Sequence, residues 1–229
     1  FDGLDLVISA TDASIAREQA PRMVEAGAIV IDQSSAFRLD QSVPLVMPEI
    51  NGADLESHRG IISGPNCTTA VAAMALAPLQ RAVGIESIIS SSYQSISGRG
   101  RDGIAEFLDL SRKAVEQPDA LRGHESLALL EAQQFPKLPA FNVFPQCESF
   151  LEGSDISTEE EKMEAEMRKM FHAPELLVHA TAVRVPVLVG HSVSLGMSLR
   201  RETSPEEARE YLSGFPGIRV VDRPWGGEY

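Results

Sequence analysis

The chain has 229 residues, of which 43% are hydrophobic, so it is long enough to bury one large core or two small ones. Its 20 basic and 33 acidic side chains give a net charge of −13, which argues against nucleic acid or an anionic membrane surface as a partner. No apolar run approaches the roughly 20 residues of a membrane span. The two cysteines lack paired Cys or Cys/His spacing, which favours a reducing cytoplasm and predicts no metal site.

The first elements predict a β-α-β unit. Leu4 to Ala10 is a short apolar run, Ser14 to Ala26 has a helical composition, and Ala28 to Asp32 is a β-branched run. We expect two parallel strands, both buried on two faces, within a doubly wound sheet. No Gly-rich phosphate loop precedes Leu4, so we expect the first strand and loop of a nucleotide-binding domain to lie before this sequence.

A loop-rich passage with one short strand follows over residues 34–51. Its Arg38 is either an anion-binding residue or an exposed surface charge, and the usual exposure of arginine favours the surface interpretation. Ile61 and Ile62 then form the end of another short strand, which Gly64-Pro65 breaks.

Cys67 lies where that strand gives way to a helix. From Thr68 onwards the sequence TTAVAAMALAPLQRAV has apolar residues at helical spacing. At a helix N-terminus the backbone N–H groups and the dipole favour the thiolate, which is the nucleophilic form of cysteine. A lone cysteine is more often a small buried apolar residue, so its position alone leaves both interpretations open.

The second part of the chain does not alternate strands and helices regularly. Gly84 to Ile96 is β-rich and ends in a Gly/Ser loop with Arg99 and Arg101, a loop able to receive a phosphate or a carboxylate. The order of elements indicates an α+β domain with a mixed or antiparallel sheet. The further predicted elements are a helix over 104–116, a helical or irregular stretch over 121–134, a helix over 159–171 capped by Ser157 or Thr158, a helix over 205–213 and a strand over 218–221.

Residues 179–200 predict two long strands around Pro186 and Gly190. Arg184 and His191 are seven positions apart, so a straight strand would place them on opposite faces. A bend or bulge at the proline or the glycine is needed to bring both to one pocket. A lone histidine in such a place is more often structural than catalytic.

Several motifs, read together and in order, resemble the aspartate-semialdehyde dehydrogenase family. They are GPNCTT over 64–69, SYQSISG over 92–98 and RVPV…GHS over 184–192, with further likeness over 32–38, 43–51, 141–143 and 159–162. The resemblance implies an α/β plus α+β fold. A partial Rossmann-like NAD(P)-binding domain would span 1–66, and a glyceraldehyde-3-phosphate-dehydrogenase-like catalytic and dimerisation domain with a mixed sheet would span 67–229. The family's long C-terminal helix would follow Tyr229.

The resemblance also implies the chemistry. Cys67 would form a thioester with the substrate, His191 would be the general acid/base that takes the thiol proton or serves the tetrahedral intermediate, and Gln94 would orient the substrate. The implied binding residues are Arg184 for the α-carboxylate, Glu159 for the amino group, Arg38, Asn66 and Lys162 for the phosphate, and Ser97 and Gly98 for the nicotinamide of NADP. From the residues alone, Glu159 and Lys162 are also explained as a surface ion pair.

The implied reaction is the NADPH-dependent, reversible conversion of L-aspartyl 4-phosphate into L-aspartate 4-semialdehyde and inorganic phosphate. It serves the synthesis of lysine, threonine, methionine and isoleucine, and we expect a cytoplasmic homodimer or homotetramer. N-acetyl-glutamyl-phosphate reductase and glyceraldehyde-3-phosphate dehydrogenase share the architecture but fit these motifs poorly. The open alternatives are a related acyl-phosphate or acyl-CoA reductase such as malonyl-CoA reductase, or a non-catalytic protein, either a degenerate paralogue or a truncated dimerisation module.

Overall fold

A computed structural model of the chain describes residues 1–121, 130–222 and 226. The chain divides into two compact units. Unit 1 comprises Phe1–Ile89, Lys162–Val178 and Gly196–Tyr229, and unit 2 comprises Ser90–Glu161 and His179–Leu195. Within the described ranges, no helix is long and apolar enough to cross a bilayer. Residues 122–129 of the predicted helical or irregular stretch lie outside those ranges.

The first sheet of unit 1 is parallel, and a helix joins its first two strands, which confirms the predicted β-α-β unit. The prediction that both strands are buried on two faces is wrong for the first. In this chain Leu6 and Ile8, which share one face of that strand, are 55% and 69% exposed, whereas Val30 of the central strand is fully buried. The sheet order is β1-β2-β3, with β1 Leu6–Ser9, α1 Ala13–Glu25, β2 Ile29–Asp32 and β3 Ile61–Ser63.

The rest of unit 1 is mainly helical. In the predicted short strand before residue 51, Leu45 forms only an isolated bridge to Ser63, and its side chain packs into a core with Ala73 and Met170. The predicted strand over 218–221 is absent from the described residues, because the backbone closes a turn from Phe215 and then runs on without pairing. Its helices are α2 Pro48–Asn51, α3 Cys67–Ala82 and, near the C-terminal end of the described chain, α6 Pro205–Ser213. A 3-10 turn, Gly52–Ser57, follows α2.

A second three-stranded sheet has strand ends that lie in unit 2, and the polar motifs are located at these ends. The predicted strands around Pro186 and Gly190 are confirmed. Ser157 is the helix cap, since its hydroxyl accepts the N–H of Glu160 while that carboxylate accepts the N–H of Ser157. The sheet order is β5-β4-β6; the elements are β4 Ile85–Gln94, a 3-10 turn Ile96–Arg99, α4 Gly100–Glu116, a 3-10 turn Pro118–Leu121, α5 Thr158–Met170, β5 Leu177–Arg184 and β6 Ser192–Leu199.

Candidate active site

The three strand ends of the second sheet bring the unit 2 motifs together. Gln94 ends the central strand β4, Arg184 ends β5 on one side, and His191 precedes β6 on the other. The chain turns between β5 and β6, where Gly190 has a φ of +92° that glycine adopts without strain. The predicted bend between Arg184 and His191 is therefore confirmed, and it is a complete reversal between two strands rather than a bulge in one.

Backbone hydrogen bonds hold this turn against the segment that follows Gln94. The N–H of Ile96 donates to the carbonyl of Val187 at 2.9 Å, and the N–H of Val185 donates to the carbonyl of Gln94 at 3.0 Å. The Arg184 guanidinium is buried, and its Nη1 donates to the carbonyl of Ser95 at 2.6 Å. A buried cation with a fixed orientation is thus available to bind a carboxylate.

Gln94 and Glu159 form a second fixed pair. Both side chains are buried, and Nε2 of Gln94 donates to Oε1 of Glu159 at 3.0 Å. Glu159 lies in the first turn of α5, where the helix dipole stabilises a carboxylate. The surface explanation for Glu159 is therefore wrong, because its side chain is buried and bonded within unit 2.

His191 is half-buried, and its Nδ1 lies 3.0 Å from both the backbone nitrogen and the hydroxyl of Ser95. Burial lowers the pKa of His191, the Arg184 guanidinium lowers it further, and Glu159 opposes the change. The imidazole is therefore mainly neutral at neutral pH. Ser95 lies within the motif SYQSISG but is not among the predicted site residues, because its contribution includes a backbone N–H that every residue except proline carries.

Gly98 lies beside the side chains of Arg184 and His191. A Cβ placed on it would be 3.2 Å from Nη1 of Arg184 and 3.6 Å from Cε1 of His191, so glycine keeps this space open. Ser97 precedes it, with its hydroxyl 3.0 Å from that of Ser95. Arg99, predicted as a possible anion-binding residue, donates from Nε and Nη2 to the carbonyl of Gln134 at 3.1 and 2.9 Å.

In unit 1, Cys67 is the first residue of α3, as predicted, and its side chain is exposed. Asn66 is the N-cap, because its Oδ1 accepts the N–H groups of Thr68 at 2.8 Å and Thr69 at 3.3 Å. The other cysteine, Cys147, is fully buried in unit 2, and burial raises the pKa of its thiol to about 12. Of the two thiols, only that of Cys67 has the setting of a nucleophile.

Arg38 is buried, so the interpretation favoured from the sequence, an exposed surface charge, is wrong. Its Nη1 lies 3.3 Å from Oε1 of Glu166 and its Nη2 donates to the carbonyl of Gln33 at 2.8 Å, while its buried Nε has no protein partner. The partner that makes this burial possible, Glu166, is 128 positions away in the sequence.

Glu166 was not singled out from the sequence, although it lies one helical turn after Lys162 on α5. Its Oε2 accepts the backbone N–H of Asn66 at 2.7 Å. Burial raises the pKa of Glu166, against the effects of Arg38 and of that N–H. Glu166 therefore positions both Arg38 and the start of the Cys67 helix.

Lys169, one turn further along α5, holds the loop that carries Arg38. Its Nζ donates to the carbonyls of Arg38 at 2.8 Å, Asp40 at 2.6 Å and Val43 at 2.8 Å. Burial lowers the pKa of Lys169, and nearby carboxylates such as Asp40 oppose that change. With three carbonyls bound, this ammonium has a structural role.

Two protein-family models match the chain. The NAD binding domain of semialdehyde dehydrogenase matches residues 1–58, and the dimerisation domain of semialdehyde dehydrogenase matches residues 76–229. The aspartate-semialdehyde dehydrogenase of Aquifex aeolicus is 40% identical over 231 residues, which cover 100% of this chain and 65% of the relative. That of Mycolicibacterium smegmatis is 40% identical over 228 residues, covering 97% of this chain and 66% of the relative. The chain thus spans slightly less than two thirds of the length of these relatives.

Solved structures agree with these matches. The crystal structure of aspartate semialdehyde dehydrogenase II from Vibrio cholerae has a TM-score of 0.86 and 34% identity, covering 94% of this chain and 62% of that one. The same enzyme complexed with ASA gives the same TM-score and identity. The predicted fold class, a Rossmann-like NAD-binding part followed by a dimerisation domain, is confirmed. The chain belongs to the semialdehyde dehydrogenase family.

Proposed function

We propose that this chain carries the acyl-transfer chemistry of aspartate-semialdehyde dehydrogenase, in which L-aspartyl 4-phosphate becomes L-aspartate 4-semialdehyde. The observation that carries the proposal is the set of fixed polar groups at the ends of β4, β5 and β6. A buried guanidinium, Arg184, and a buried carboxylate, Glu159, are the groups that an α-carboxylate and an α-ammonium require. The aspartate-semialdehyde dehydrogenases among the relatives support the assignment.

In unit 2, Arg184 binds the α-carboxylate with the donors of its fork that Ser95 does not use. Glu159 binds the ammonium group, and Gln94, which donates to Glu159, orients the substrate. His191 serves the reaction either by taking the thiol proton or by assisting the tetrahedral intermediate.

In unit 1, Cys67 attacks the acyl carbon: an Sγ–C bond forms, the bond from that carbon to the phosphate oxygen breaks, and inorganic phosphate leaves. Arg38, Asn66 and Lys162 bind the phosphate. Arg38 suits this role because its buried Nε has no protein partner. A neighbouring anion would supply the missing acceptor, as buried polar groups require.

The cofactor is proposed to be NADPH, which supplies the hydride that reduces the thioester. Ser97 and Gly98 would lie against its nicotinamide. The fit is supported by Gly98, where any Cβ would fill the space beside Arg184 and His191. Backbone without a side chain is what the close approach of a planar ring requires.

The half-reaction that needs no nicotinamide tests the function. The chain is mixed with aspartyl 4-phosphate, generated in place from aspartate and ATP by a kinase, then quenched in acid and examined by intact mass. We expect a mass gain of one aspartyl group with release of one phosphate. Cys67→Ala should abolish the gain, whereas Cys147→Ala, the matched control, should retain it. Acylation that survives Cys67→Ala would overturn the proposal.

The same measurement separates the alternatives. Acylation by malonyl-CoA, but not by aspartyl 4-phosphate, would identify an acyl-CoA reductase. Acylation by neither would identify a non-catalytic dimerisation module.

We propose that the chain assembles as a homodimer or homotetramer through the region that matches the dimerisation domain, within the predicted domain 67–229. A cytoplasmic location is proposed because both cysteines are thiols and Cys67 must stay reduced to act. Sedimentation equilibrium measures the assembly, and a concentration-independent monomer would contradict it.

A further inference from the structure

We infer that Ser95 is a positioning residue that fixes the tautomer of His191, so that the neutral imidazole carries its proton on Nε2. The catalytic consequence of this tautomer rests on the proposed function. The tautomer itself rests only on the geometry of unit 2.

The argument begins with the backbone N–H of Ser95, which lies 3.0 Å from Nδ1 of His191. A backbone N–H is a donor and never an acceptor, so Nδ1 must offer its lone pair. A neutral imidazole has one protonated nitrogen and one with a lone pair. The proton is therefore on Nε2.

The Ser95 hydroxyl strengthens this arrangement. It lies 3.0 Å from Nδ1 and 3.0 Å from the hydroxyl of Ser97, so it can donate to the imidazole while accepting from Ser97. An imidazolium, protonated on both nitrogens, would instead point a proton at the Ser95 N–H. The nearby Arg184 charge disfavours the imidazolium as well, against the weaker opposing effect of Glu159.

The Nε2 atom of the ring lies next to Gly98. A Cβ on Gly98 would be 3.8 Å from Nε2, so this nitrogen is beside the backbone that we assign to the nicotinamide. Within unit 2, the donor of the neutral ring is therefore on the side of the proposed cofactor site.

This tautomer selects between the two roles left open for His191. Because Nε2 already carries a proton and Nδ1 accepts from Ser95, the resting ring has no lone pair for the thiol proton. Cys67 then attacks as a thiolate that has released its proton to solvent, a form favoured by its place at the N-terminus of α3. Nε2–H donates a hydrogen bond to the carbonyl oxygen as it becomes negative.

Long-range ¹H–¹⁵N correlation spectra of the histidine side chains, recorded on the ¹⁵N-labelled chain above the pKa of His191, measure the tautomer directly. We expect the His191 ring to show a protonated Nε2 and an unprotonated Nδ1, with His191→Asn assigning the signals. A protonated Nδ1 would overturn the inference. Since the readout needs no turnover, it stands apart from the acylation test, and either can fail without the other.

Two substitutions at Ser95 isolate the backbone donor. Ser95→Ala removes the hydroxyl and keeps the N–H, so the Nε2–H tautomer should persist. Ser95→Pro also removes the N–H, and the backbone suits proline because Ser95 has φ −69° and ψ 160°. We expect Ser95→Pro to give a mixture of tautomers and a higher His191 pKa.

A Ser95→Pro spectrum identical to that of the parent chain would refute the assignment of Ser95 as the determinant. If Ser95→Pro does not fold, the Ser95→Ala spectrum decides: a switch to protonated Nδ1 would show that the N–H does not fix the ring. In acylation, His191→Asn should slow the reaction by about 10²- to 10³-fold, the usual loss on removing one oxyanion donor.

Discussion

Asn66 caps α3 in the structure and is proposed to bind phosphate, and substitutions at this position test the two roles separately. Its Oδ1 caps α3 by accepting two backbone N–H groups, and its amide nitrogen is the donor that we propose for phosphate. Asn66→Ala removes the acceptor and the donor. Asn66→Ser is the matched variant, because serine caps helices as well as asparagine does but has no amide donor and adds no charge.

The structure sets the expected magnitude. Loss of an N-cap acceptor costs about 1 kcal/mol, within a range of about 0.5 to 2 kcal/mol. Asn66 is buried and serves both Thr68 and Thr69, so we expect Asn66→Ala to lower the free energy of unfolding by about 1 to 2 kcal/mol, near the upper end. Asn66→Ser should stay within about 0.5 kcal/mol of the parent chain.

Urea unfolding followed by circular dichroism measures the capping contribution. The comparison requires that the unfolding free energy of each variant depend on urea concentration with the same slope. Protection of Cys67 from alkylation by added inorganic phosphate measures phosphate binding, and both variants should need more phosphate for the same protection. If Asn66→Ser were as unstable as Asn66→Ala, the capping argument would be wrong. If Asn66→Ala, which has no side-chain donor at this position, kept the phosphate protection of the parent chain, Asn66 would not be a phosphate ligand.

Three further predictions concern the site and the core. Gly98→Ala should slow acylation of Cys67 by roughly ten- to a hundred-fold, because the new Cβ would lie 3.2 Å from Nη1 of Arg184. Gly52→Ala is the control: a Cβ at Gly52 would have no other atom within 4 Å, so this variant should match the parent rate. His191 keeps a folded pKa below 6.5, so as pH falls through 6.5 the unfolded chain binds its proton first and stability declines. Urea unfolding across this range should show a smaller decline for His191→Gln, and an equal decline would contradict the lowered pKa. Met170→Ala should cost about 2 to 5 kcal/mol of unfolding free energy because Met170 is 1% exposed in the unit 1 core, whereas Leu177→Ala at a 65% exposed position should cost under about 0.5 kcal/mol. Equal losses in urea for both would show that burial does not set the cost.

The sequence sufficed where the signal was local. The N-terminal position of Cys67 follows from Gly64-Pro65 and the helical run after it, and the reversal between Arg184 and His191 follows from Pro186 and Gly190. These signals lie within a few residues of the feature that they predict.

The failures have non-local causes. The sequence predicts Arg38 at the surface because arginine is usually exposed, whereas the partner that allows its burial is supplied from α5. The exposure of Leu6 and Ile8 does not follow from their apolar character, because the burial of a strand face depends on which other elements pack on it. Ser95 acts partly through its backbone, which no residue type reveals.

Helix α5 carries fixed carboxylates for both units. In unit 2, Glu159 accepts from Gln94, and Glu160 accepts the N–H of Ala182 in β5 at 2.9 Å. In unit 1, Glu166 binds Arg38 and the N–H of Asn66. Glu166→Gln keeps the size of the side chain but removes the negative charge beside Arg38, so it should raise the phosphate concentration needed to protect Cys67 from alkylation. Unchanged protection would show that Glu166 does not position the unit 1 residues proposed for the phosphate.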